Sequence, residues 1–575
     1  MQTSLRVIII GGVAGGMSAA TRLRRLDEHA HITVLDRGEH VSFANCGLPY
    51  HLSDAIPERD KLLLHTPESL HRRFRIDVRT RHEVTAIDRQ AHTVTVTDHL
   101  SAEVLTLPYD KLILSPGAAP VIPPLPGTQH AFPLRTVPDL DRLKAAATDR
   151  GPHAVVIGAG FIGIEVAENL REAGKQVTVV EAAPQVLPPL DPELAALIQH
   201  ELQRHGVTVV TGVGFTEITE RSVTLADGRT LPADLTVLAV GVRPEDSLAR
   251  QAGLETGERG GILVNEQLQT SDPDIYAVGD AALVRDALGH VAFVPLAWGA
   301  NRQGRLAADH ITGRDVRFGG HPATAIAKVF SLTAASTGLN EKQVRALGLT
   351  PAVIHTHPGS HAGYYPGAEP LHLKLVFDPG TGRLYGAQAV GGQGTDKRID
   401  VLATALHAGL TAEDLADLPL AYAPPYSSAK DPVNLLGYVA QNVMNGTTRT
   451  RQWHEVAGTD RLVLDVRDPG EHARGAIPGA VNIPLNDLRA RQAELHGRSV
   501  LVYCQVGQRG HTATRLLTEL GVDAVNLDGG YLIWQAGLSA VQPGGVGSAF
   551  LGPPRGAGRA APDRRPVLAA PSASG

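Results

Sequence analysis

Cysteine is almost absent from this sequence. Only Cys46 and Cys504 are cysteines among 575 residues, and they lie far apart and outside any C-x-x-C motif. Two such residues can build neither a disulfide framework nor a zinc cluster. None of the 25 histidines belongs to a spaced ligand cluster, so we expect no metal. Both cysteines are expected to be reduced thiols in the cytoplasm.

Long apolar runs and basic blocks are also missing. No apolar stretch reaches the ~18–20 residues that a membrane helix needs, and nothing basic offsets the net charge of −6. We therefore expect neither a membrane nor a nucleic acid as partner, and favour a small molecule. With 43% hydrophobic residues, the chain has a globular composition. Its length exceeds the ~250–300 residues of a single core, which predicts several domains.

A glycine turn near the start follows a β-branched apolar run, residues 5–10, and precedes a helical pattern, residues 17–26. This order lays a pyrophosphate against helix N–H groups. A second apolar run, residues 32–35, ends at an acid that can accept the ribose hydroxyls. The predicted cofactor-binding residues are Gly11, Gly12, Val13, Ala14, Gly15, Gly16 and Asp36.

The same pattern recurs after residue 150. The strand His153–Ile157 leads into a turn with all three motif glycines, Gly158, Gly160 and Gly163, and a following strand ends at Glu181. Two such patterns in one chain predict two dinucleotides. Because two alanines follow Glu181 and no arginine is there for a 2′-phosphate, we expect NADH to bind better than NADPH.

A third element, residues 270–280, reads as a turn, a short strand and then Gly279 and Asp280, whose carboxylate could hold the polyol of a flavin. With residues 109–117 as a return strand, the first unit is predicted to be interrupted by the second and completed after it. This order resembles the two-dinucleotide flavin disulfide reductases over residues 5–440. The resemblance implies FAD as cofactor and NADH or NADPH as electron donor.

The lone thiol of Cys46 stands in a distinctive segment, residues 42–50, with the sequence SFANCGLPY. With one sulfur, the oxidised form must be a mixed disulfide, a persulfide or a sulfenic acid. N–H groups of a turn opening at Gly47 would favour a thiolate. The segment resembles that of coenzyme A-disulfide reductases. That resemblance makes Cys46 catalytic and implies that coenzyme A is held by Ser18, Arg22, Arg25, Ser42 and Asn45.

Residues 322–445 correspond, by the same resemblance, to a dimer interface of a homodimer. The resemblance implies that Tyr365, Tyr422 and Lys430 contact substrate or donate protons at the partner subunit's coenzyme site, and that His361 contacts the flavin. Whether Tyr364 or Tyr365 faces the site stays open at this stage.

The pattern restarts after residue 446. A strand, Ser499–Tyr503, leads into the loop from Cys504 to Arg509 and then a helix at 511–520. A cysteine in a loop of converging N–H groups can hold a persulfide. This unit resembles single-domain rhodaneses, which makes Cys504 the sulfur acceptor and gives Arg509 the role of stabilising the loop or the substrate charge. Sulfane-sulfur donors are thus expected partners.

The predicted fold class is α/β, with two Rossmann-like dinucleotide-binding domains, an α+β dimerisation domain and a C-terminal α/β rhodanese domain. The predicted bounds are 1–150 for the first part of the FAD-binding domain, 151–280 for the NAD(P)H-binding domain, 281–321 for the FAD-binding return segment, 322–445 for the dimerisation domain, 446–455 for a linker, 456–543 for the rhodanese domain and 544–575 for a disordered tail.

The leading hypothesis is an NADH-dependent reductase of coenzyme A disulfide, coenzyme A persulfide or polysulfide, coupled to sulfur transfer at Cys504. Two alternatives remain open: an NADH oxidase or peroxidase that cycles Cys46 through a sulfenic acid, and a non-catalytic redox or sulfur sensor. The sequence leaves the physiological acceptor undecided.

Overall fold

The computed structural model describes residues 4–541, and the tail predicted for 544–575 lies outside them. The α/β class is confirmed: the described residues form two parallel sheets whose strands lead into the glycine turns, a five-stranded antiparallel sheet, a C-terminal parallel sheet and several smaller sheets. Among the described residues, no helix is both long enough and apolar enough to cross a bilayer.

The first half of the chain contains most of the two dinucleotide-binding units. Its strands and helices are β1 Arg6–Ile10, α1 Ala14–Leu26, β2 His31–Asp36, α2 Pro67–Phe74, β3 Asp77–Thr80, β4 His82–Asp88, β5 Thr93–Asp98, β6 Val104–Pro108, β7 Lys111–Leu114, β8 Ala118–Pro120, α3 Val137–Asp149, β9 His153–Ile157, α4 Phe161–Glu172, β10 Gln176–Glu181, α5 Pro192–Arg204, β11 Thr208–Thr211, β12 Phe215–Ile218, β13 Ser222–Leu225, β14 Thr230–Pro232, β15 Leu235–Leu238, β16 Val242–Pro244, α6 Ser247–Gln251, β17 Ile262–Leu263 and β18 Ile275–Ala277.

The second half completes the first unit and adds two more. Its elements are β19 Ala282–Arg285, β20 Val291–Ala292, α7 Ala297–Ile311, β21 Ala325–Val329, β22 Leu332–Gly338, α8 Glu341–Ala346, β23 Ala352–Thr356, β24 Leu371–Phe377, β25 Leu384–Gly391, α9 Thr395–Ala408, α10 Pro432–Met444, β26 Thr450–Arg451, β27 Leu462–Asp465, α11 Pro469–Ala473, β28 Val481–Asn482, α12 Leu488–Arg491, β29 Ser499–Tyr503, α13 Gln508–Glu519, β30 Asp523–Leu527 and α14 Gly530–Val541.

Two parallel sheets carry the glycine turns. The first has the order β18-β7-β1-β2-β3 and the second the order β11-β10-β9-β15. Strands β1 and β9 are almost entirely apolar and buried, as expected for parallel strands covered on both faces. Both glycine turns therefore lie at the carboxyl ends of sheet strands, where α/β folds bind their ligands.

The chain returns to the first unit earlier than the predicted bounds place it. Strand β18 pairs with β7 in the first sheet, and β16 pairs with β8. Helix α6 also contributes to the first unit, since Ala249 packs in the same hydrophobic cluster as Ile8. The return thus begins by β16, before residue 281, because only the final Gly-Asp pair of this long segment has a recognisable motif.

The dimerisation and rhodanese domains are each built on a five-stranded sheet, antiparallel in the first and parallel in the second. An antiparallel sheet with the order β21-β22-β25-β24-β23 packs against α9 and α10. A parallel sheet with the order β26-β30-β29-β27-β28 follows, with β29 at its centre. Cys504 is the first residue after this central strand.

Candidate functional site

The first glycine turn, between β1 and α1, is closed by a hydrogen bond that one of its backbone amides donates to the strand-end acid. The backbone N–H of Gly12 donates to Asp36 Oδ2 (2.7 Å), and Asp36 Oδ1 accepts the N–H of Gly38 (2.7 Å). A side chain at Gly16 would place its Cβ 1.9 Å from the carbonyl oxygen of Gly11, so only glycine fits there. Burial raises the pKa of Asp36 in spite of these two amide donors.

The second turn, between β9 and α4, repeats this arrangement. The N–H of Ala159 donates to Glu181 Oε2 (2.7 Å), and Glu181 Oε1 accepts the N–H of Ala183 (2.8 Å). Gly163 is again needed for space, because a Cβ there would lie 1.9 Å from the carbonyl oxygen of Gly158. Each turn thus has an acid in the place where a ribose would be bound.

One cavity of about 340 Å³ joins the first turn to the Cys46 segment and to the end of β18. Of the predicted residues, its lining includes Gly11, Val13, Ala14, Gly15, Asp36, Asn45, Cys46, Gly279 and Asp280. The turn offers N–H groups to a pyrophosphate, and the two carboxylates offer acceptors for hydroxyls at separate points. This donor set fits the pyrophosphate and hydroxyl groups of a flavin dinucleotide, and Cys46 lines the same cavity.

Arg135 is a member of this cavity that the sequence did not single out. Its Nη2 donates to Asp280 Oδ2 (2.9 Å), and its backbone oxygen accepts from Asn45 Nδ2 (2.9 Å). Arg135 therefore ties the Cys46 segment to the acid that follows β18.

Cys46 lies in a short 3₁₀ turn, Asn45–Gly47, and is exposed as a residue. The N–H groups of Gly47 and Leu48 donate to backbone carbonyls, so these two do not supply the thiolate stabilisation expected from the turn. The surrounding protein raises the pKa of the Cys46 thiol, first through burial of the sulfur and then through the carboxylate of Glu165.

Glu165 and Tyr50 form a second feature that sequence reasoning missed. Tyr50 Oη donates to Glu165 Oε1 (3.1 Å), and burial raises the pKa of Glu165 to about 7. Glu165 and Glu168 lie one turn apart on α4, next to buried apolar residues. The sequence did contain a signal for this feature, because two acids stand among the apolar residues of the helix that follows the second glycine turn. The site thus contains a carboxyl that titrates near neutrality.

The residues expected to hold coenzyme A are spread over α1 and the Cys46 segment. Ser18 Oγ donates to Asn301 Oδ1 (2.6 Å), and Arg22 Nε donates to Asp309 Oδ1 (2.8 Å). Arg25 is exposed on the same helix. Ser42 has a left-handed φ of 49°, and its N–H donates to the carbonyl oxygen of Gly12.

In the dimerisation domain, two exposed tyrosines pair with each other and a third contacts a buried histidine edge-on. Tyr364 Oη lies 2.8 Å from Tyr422 Oη, while Tyr365 makes an edge contact with buried His361 at a ring separation of 5.5 Å. Lys430 is exposed. Within the described chain, none of these residues lines the cavity at Cys46.

Cys504 is fully buried at the base of its loop. Its carbonyl oxygen accepts the N–H of Tyr531 (2.8 Å), and Gly507, with a φ of 89°, is the N-cap residue that precedes α13. Arg509 makes two 2.7 Å hydrogen bonds to Glu471, so its charge is partly compensated within the protein.

Arg467, two residues beyond β27, is another member of this region without a predicted role. It donates to Asp465 Oδ2 (2.8 Å) and to Gln505 Oε1 (3.0 Å), the residue after Cys504. Its guanidinium lies 4.3 Å from the ring centre of Tyr531. Arg467 therefore contacts the Cys504 loop through Gln505 and Tyr531.

Comparison with known proteins gives three family matches. Residues 5–304 match the pyridine nucleotide-disulphide oxidoreductases, residues 324–432 match the dimerisation domain of the same family, and residues 450–537 match the rhodanese-like domain.

Similar proteins agree with these matches. Coenzyme A disulfide reductase of Staphylococcus epidermidis is 36% identical over 441 residues, which is 76% of this chain and all of that protein. The crystal structure of reduced CoADR-RHD from Bacillus anthracis is 48% identical and covers 93% of this chain and 98% of its own, with a TM-score of 0.92. The structure of a NAD-dependent persulfide reductase from A. fulgidus is 38% identical, covers 92% of this chain and 100% of its own, and has a TM-score of 0.88. The chain belongs to the pyridine nucleotide-disulphide oxidoreductase family and is an FAD- and NAD(P)H-dependent enzyme with a C-terminal rhodanese domain.

Proposed function

We propose that this enzyme oxidises NADH and reduces a disulfide or persulfide of coenzyme A through Cys46, while Cys504 carries sulfane sulfur. One observation carries the proposal: a single cavity joins the first glycine turn and Asp280 to a lone thiol. The names of the three relatives, a coenzyme A disulfide reductase, a CoADR-RHD and a persulfide reductase, support the same substrate class.

The proposed cofactor sites follow from the two turns. The first turn would hold FAD together with Asp36 and Asp280, and the second would hold NADH through Glu181. Bound by the first turn, FAD would supply two-electron transfer between NADH and the sulfur of Cys46. Glu181 accepts two backbone N–H groups of its own domain, which fixes its carboxylate for a ribose.

The chemistry at Cys46 needs one thiolate. This thiolate attacks one sulfur of coenzyme A disulfide, a Cys46–coenzyme A disulfide bond forms, and the first coenzyme A leaves as a thiolate that takes a proton. Two electrons then break the mixed disulfide and release the second coenzyme A. The net reaction consumes NADH and one proton and yields NAD⁺ and two thiols. A persulfide would give one coenzyme A and hydrogen sulfide instead.

Coenzyme A is proposed to lie along α1. Arg22 is paired with Asp309, whereas Arg25 is exposed, so Arg25 is the arginine better placed for a phosphate. Ser18, Ser42 and Asn45 would supply the neutral contacts.

The other side of the substrate site is proposed to come from a second subunit. Tyr365 and Tyr422 are 43% and 47% exposed, and Lys430 is also exposed, which suits residues that reach the coenzyme site of a partner in a homodimer. A phenol there could give a departing thiolate its proton. The cytoplasm is the proposed location because it keeps both thiols reduced.

Replacing Cys46 by serine tests the proposal. NADH oxidation is measured with four acceptors: coenzyme A disulfide, coenzyme A persulfide, oxygen and hydrogen peroxide. We expect wild-type turnover to be fastest with a coenzyme A acceptor, and Cys46→Ser to abolish that turnover while the protein still binds FAD. Unchanged turnover in this variant would overturn the proposal.

The matched control is Cys504→Ala, which removes the only other thiol. It should keep the reaction with coenzyme A disulfide and lose sulfur transfer to cyanide. Fastest wild-type turnover with oxygen or peroxide would identify an oxidase or peroxidase. Negligible turnover with all four acceptors would favour a sensor.

A further inference from the structure

The rhodanese domain is packed firmly onto the rest of the chain. Helix α14 lies against α5 of the second dinucleotide-binding unit, and fully buried Ile533 and Ala536 belong to the same hydrophobic cluster as Leu194 and Ile198. Trp453 also packs against this cluster; it lies in the segment predicted as a linker but within residues 450–537, which match the rhodanese-like domain. The contact is therefore a continuous apolar core.

A buried hydrogen-bond network lies at the centre of this contact. His355, on β23 of the dimerisation domain, has no exposed side-chain surface. Its Nδ1 lies 2.6 Å from Asp528 Oδ2 of the rhodanese domain, and its backbone N–H donates to Asp528 Oδ1 (3.1 Å). Its Nε2 lies 3.1 Å from Glu193 Oε1 on α5. Three domains thus meet at one imidazole.

The charges around His355 favour the imidazolium form. Burial alone lowers its pKa, but Asp528 and Glu193 more than compensate and raise the pKa to about 9. Two other titratable groups face it: Lys374, which is held by Glu193, and the neutral His357. His355 therefore binds both carboxylates through charge-assisted hydrogen bonds.

Asp528 is followed directly by the residues that support the Cys504 loop. Gly529 and Gly530 both have left-handed φ values, 67° and 66°. A Cβ at Gly529 would lie 3.1 Å from the Cβ of His355, and a Cβ at Gly530 would lie 2.5 Å from the carbonyl oxygen of Cys504. The N–H of Tyr531 then donates to that oxygen. Four consecutive residues connect His355 to the sulfur-carrying loop.

We propose that His355 and Asp528 are positioning residues for Cys504, so that the reductase part of the chain sets the geometry of the rhodanese loop. The inference rests on the proposed sulfur-carrying role of Cys504. His355 lies 149 positions before Cys504 in sequence and in another domain, and its hydrogen bonds to Asp528 connect it to the thiol through Asp528 and the glycines that follow.

The test replaces His355 by alanine in the full-length chain. Sulfur transfer from thiosulfate or a persulfide to cyanide is measured first. We expect kcat to fall about tenfold or more, with a smaller change in KM, because a misplaced nucleophile slows the chemical step. NADH oxidation with coenzyme A disulfide should be unchanged.

A second measurement does not depend on sulfur transfer. Iodoacetamide alkylation is followed on the separate peptides of Cys46 and Cys504. In His355→Ala, alkylation of buried Cys504 should be faster by about fivefold or more as the loop loosens, while Cys46 serves as an unchanged internal reference. If the wild-type chain transfers no sulfur, the role of Cys504 is wrong, and this measurement alone decides whether His355 positions the loop.

Two further variants complete the design. Asp528→Asn keeps an oxygen for the backbone N–H of His355 and should show an intermediate effect, and it replaces His355→Ala if that variant fails to fold. Arg345→Gln, at the half-exposed end of the ion pair with Glu341, should change neither readout. If His355→Ala and Asp528→Asn both retain wild-type sulfur transfer and wild-type alkylation of Cys504, the inference is overturned.

Discussion

Replacing Glu165 by glutamine removes a partly buried ionisable group and keeps the acceptor for Tyr50. In the folded chain, burial raises the pKa of Glu165 from 4.5 to about 7. One pKa unit corresponds to about 1.4 kcal/mol, so ionising this carboxyl destabilises the folded state by roughly 3 kcal/mol. Because the pKa of Glu165 is higher in the folded than in the unfolded chain, the folded state favours the protonated carboxyl. The stability that this protonated form contributes is fully present below pH 4.5 and is lost as pH rises through about 7.

The assay is thermal unfolding of wild type and Glu165→Gln between pH 5 and pH 8. The two midpoints should nearly coincide at pH 5, and the variant should be higher by roughly 2–3 °C at pH 8, because an unfolding entropy of ~2 cal/mol/K per residue makes ~1 kcal/mol correspond to about 1 °C or less in a chain of 575 residues. Glu172→Gln, at a 42% exposed side chain of the same helix, is the control and should show no widening difference. Parallel curves for wild type and Glu165→Gln across this range would refute the reasoning.

Two further substitutions test other buried or cofactor-facing groups. Lys374→Met removes a fully buried ammonium that lies 2.9, 2.5 and 2.8 Å from carboxylates of Asp191, Glu193 and Glu341, and should lower stability by about 3–5 kcal/mol; an unchanged unfolding midpoint in a thermal scan would contradict this. Glu181→Ala should raise KM for NADH about tenfold or more and reduce the preference for NADH over NADPH. If the ratio of kcat/KM for NADH to kcat/KM for NADPH is the same in wild type and variant, Glu181 does not select the ribose.

The features that could be predicted from the sequence join residues that lie close together in the chain. Each glycine turn and its acid lie within 24 residues of one another, and strand, turn, helix and acid follow in an order that local patterning reveals. The fold class and the family could therefore be inferred before any coordinates. The roles assigned to individual site residues, including Cys46 and Cys504, remain predictions that the variants above test.

The missed features join residues that are far apart in the chain. Tyr50 and Glu165 are separated by 115 positions, Arg135 and Asp280 by 145, and His355 and Asp528 by 173. No periodicity or spacing encodes such pairs, because they depend on how the domains pack. The early return of the chain to the first sheet at β16 escaped prediction for the same reason, since its partner strand β8 lies more than 100 residues earlier.

The hydrogen bonds that close both glycine turns bear on the thermodynamics of cofactor binding. In each turn, the strand-end carboxylate is already anchored to a loop amide, Asp36 to Gly12 and Glu181 to Ala159. Both loops are thus preorganised, and little conformational entropy is lost in the protein when a nucleotide arrives. The ordering penalty on association falls mainly on the flexible dinucleotide itself.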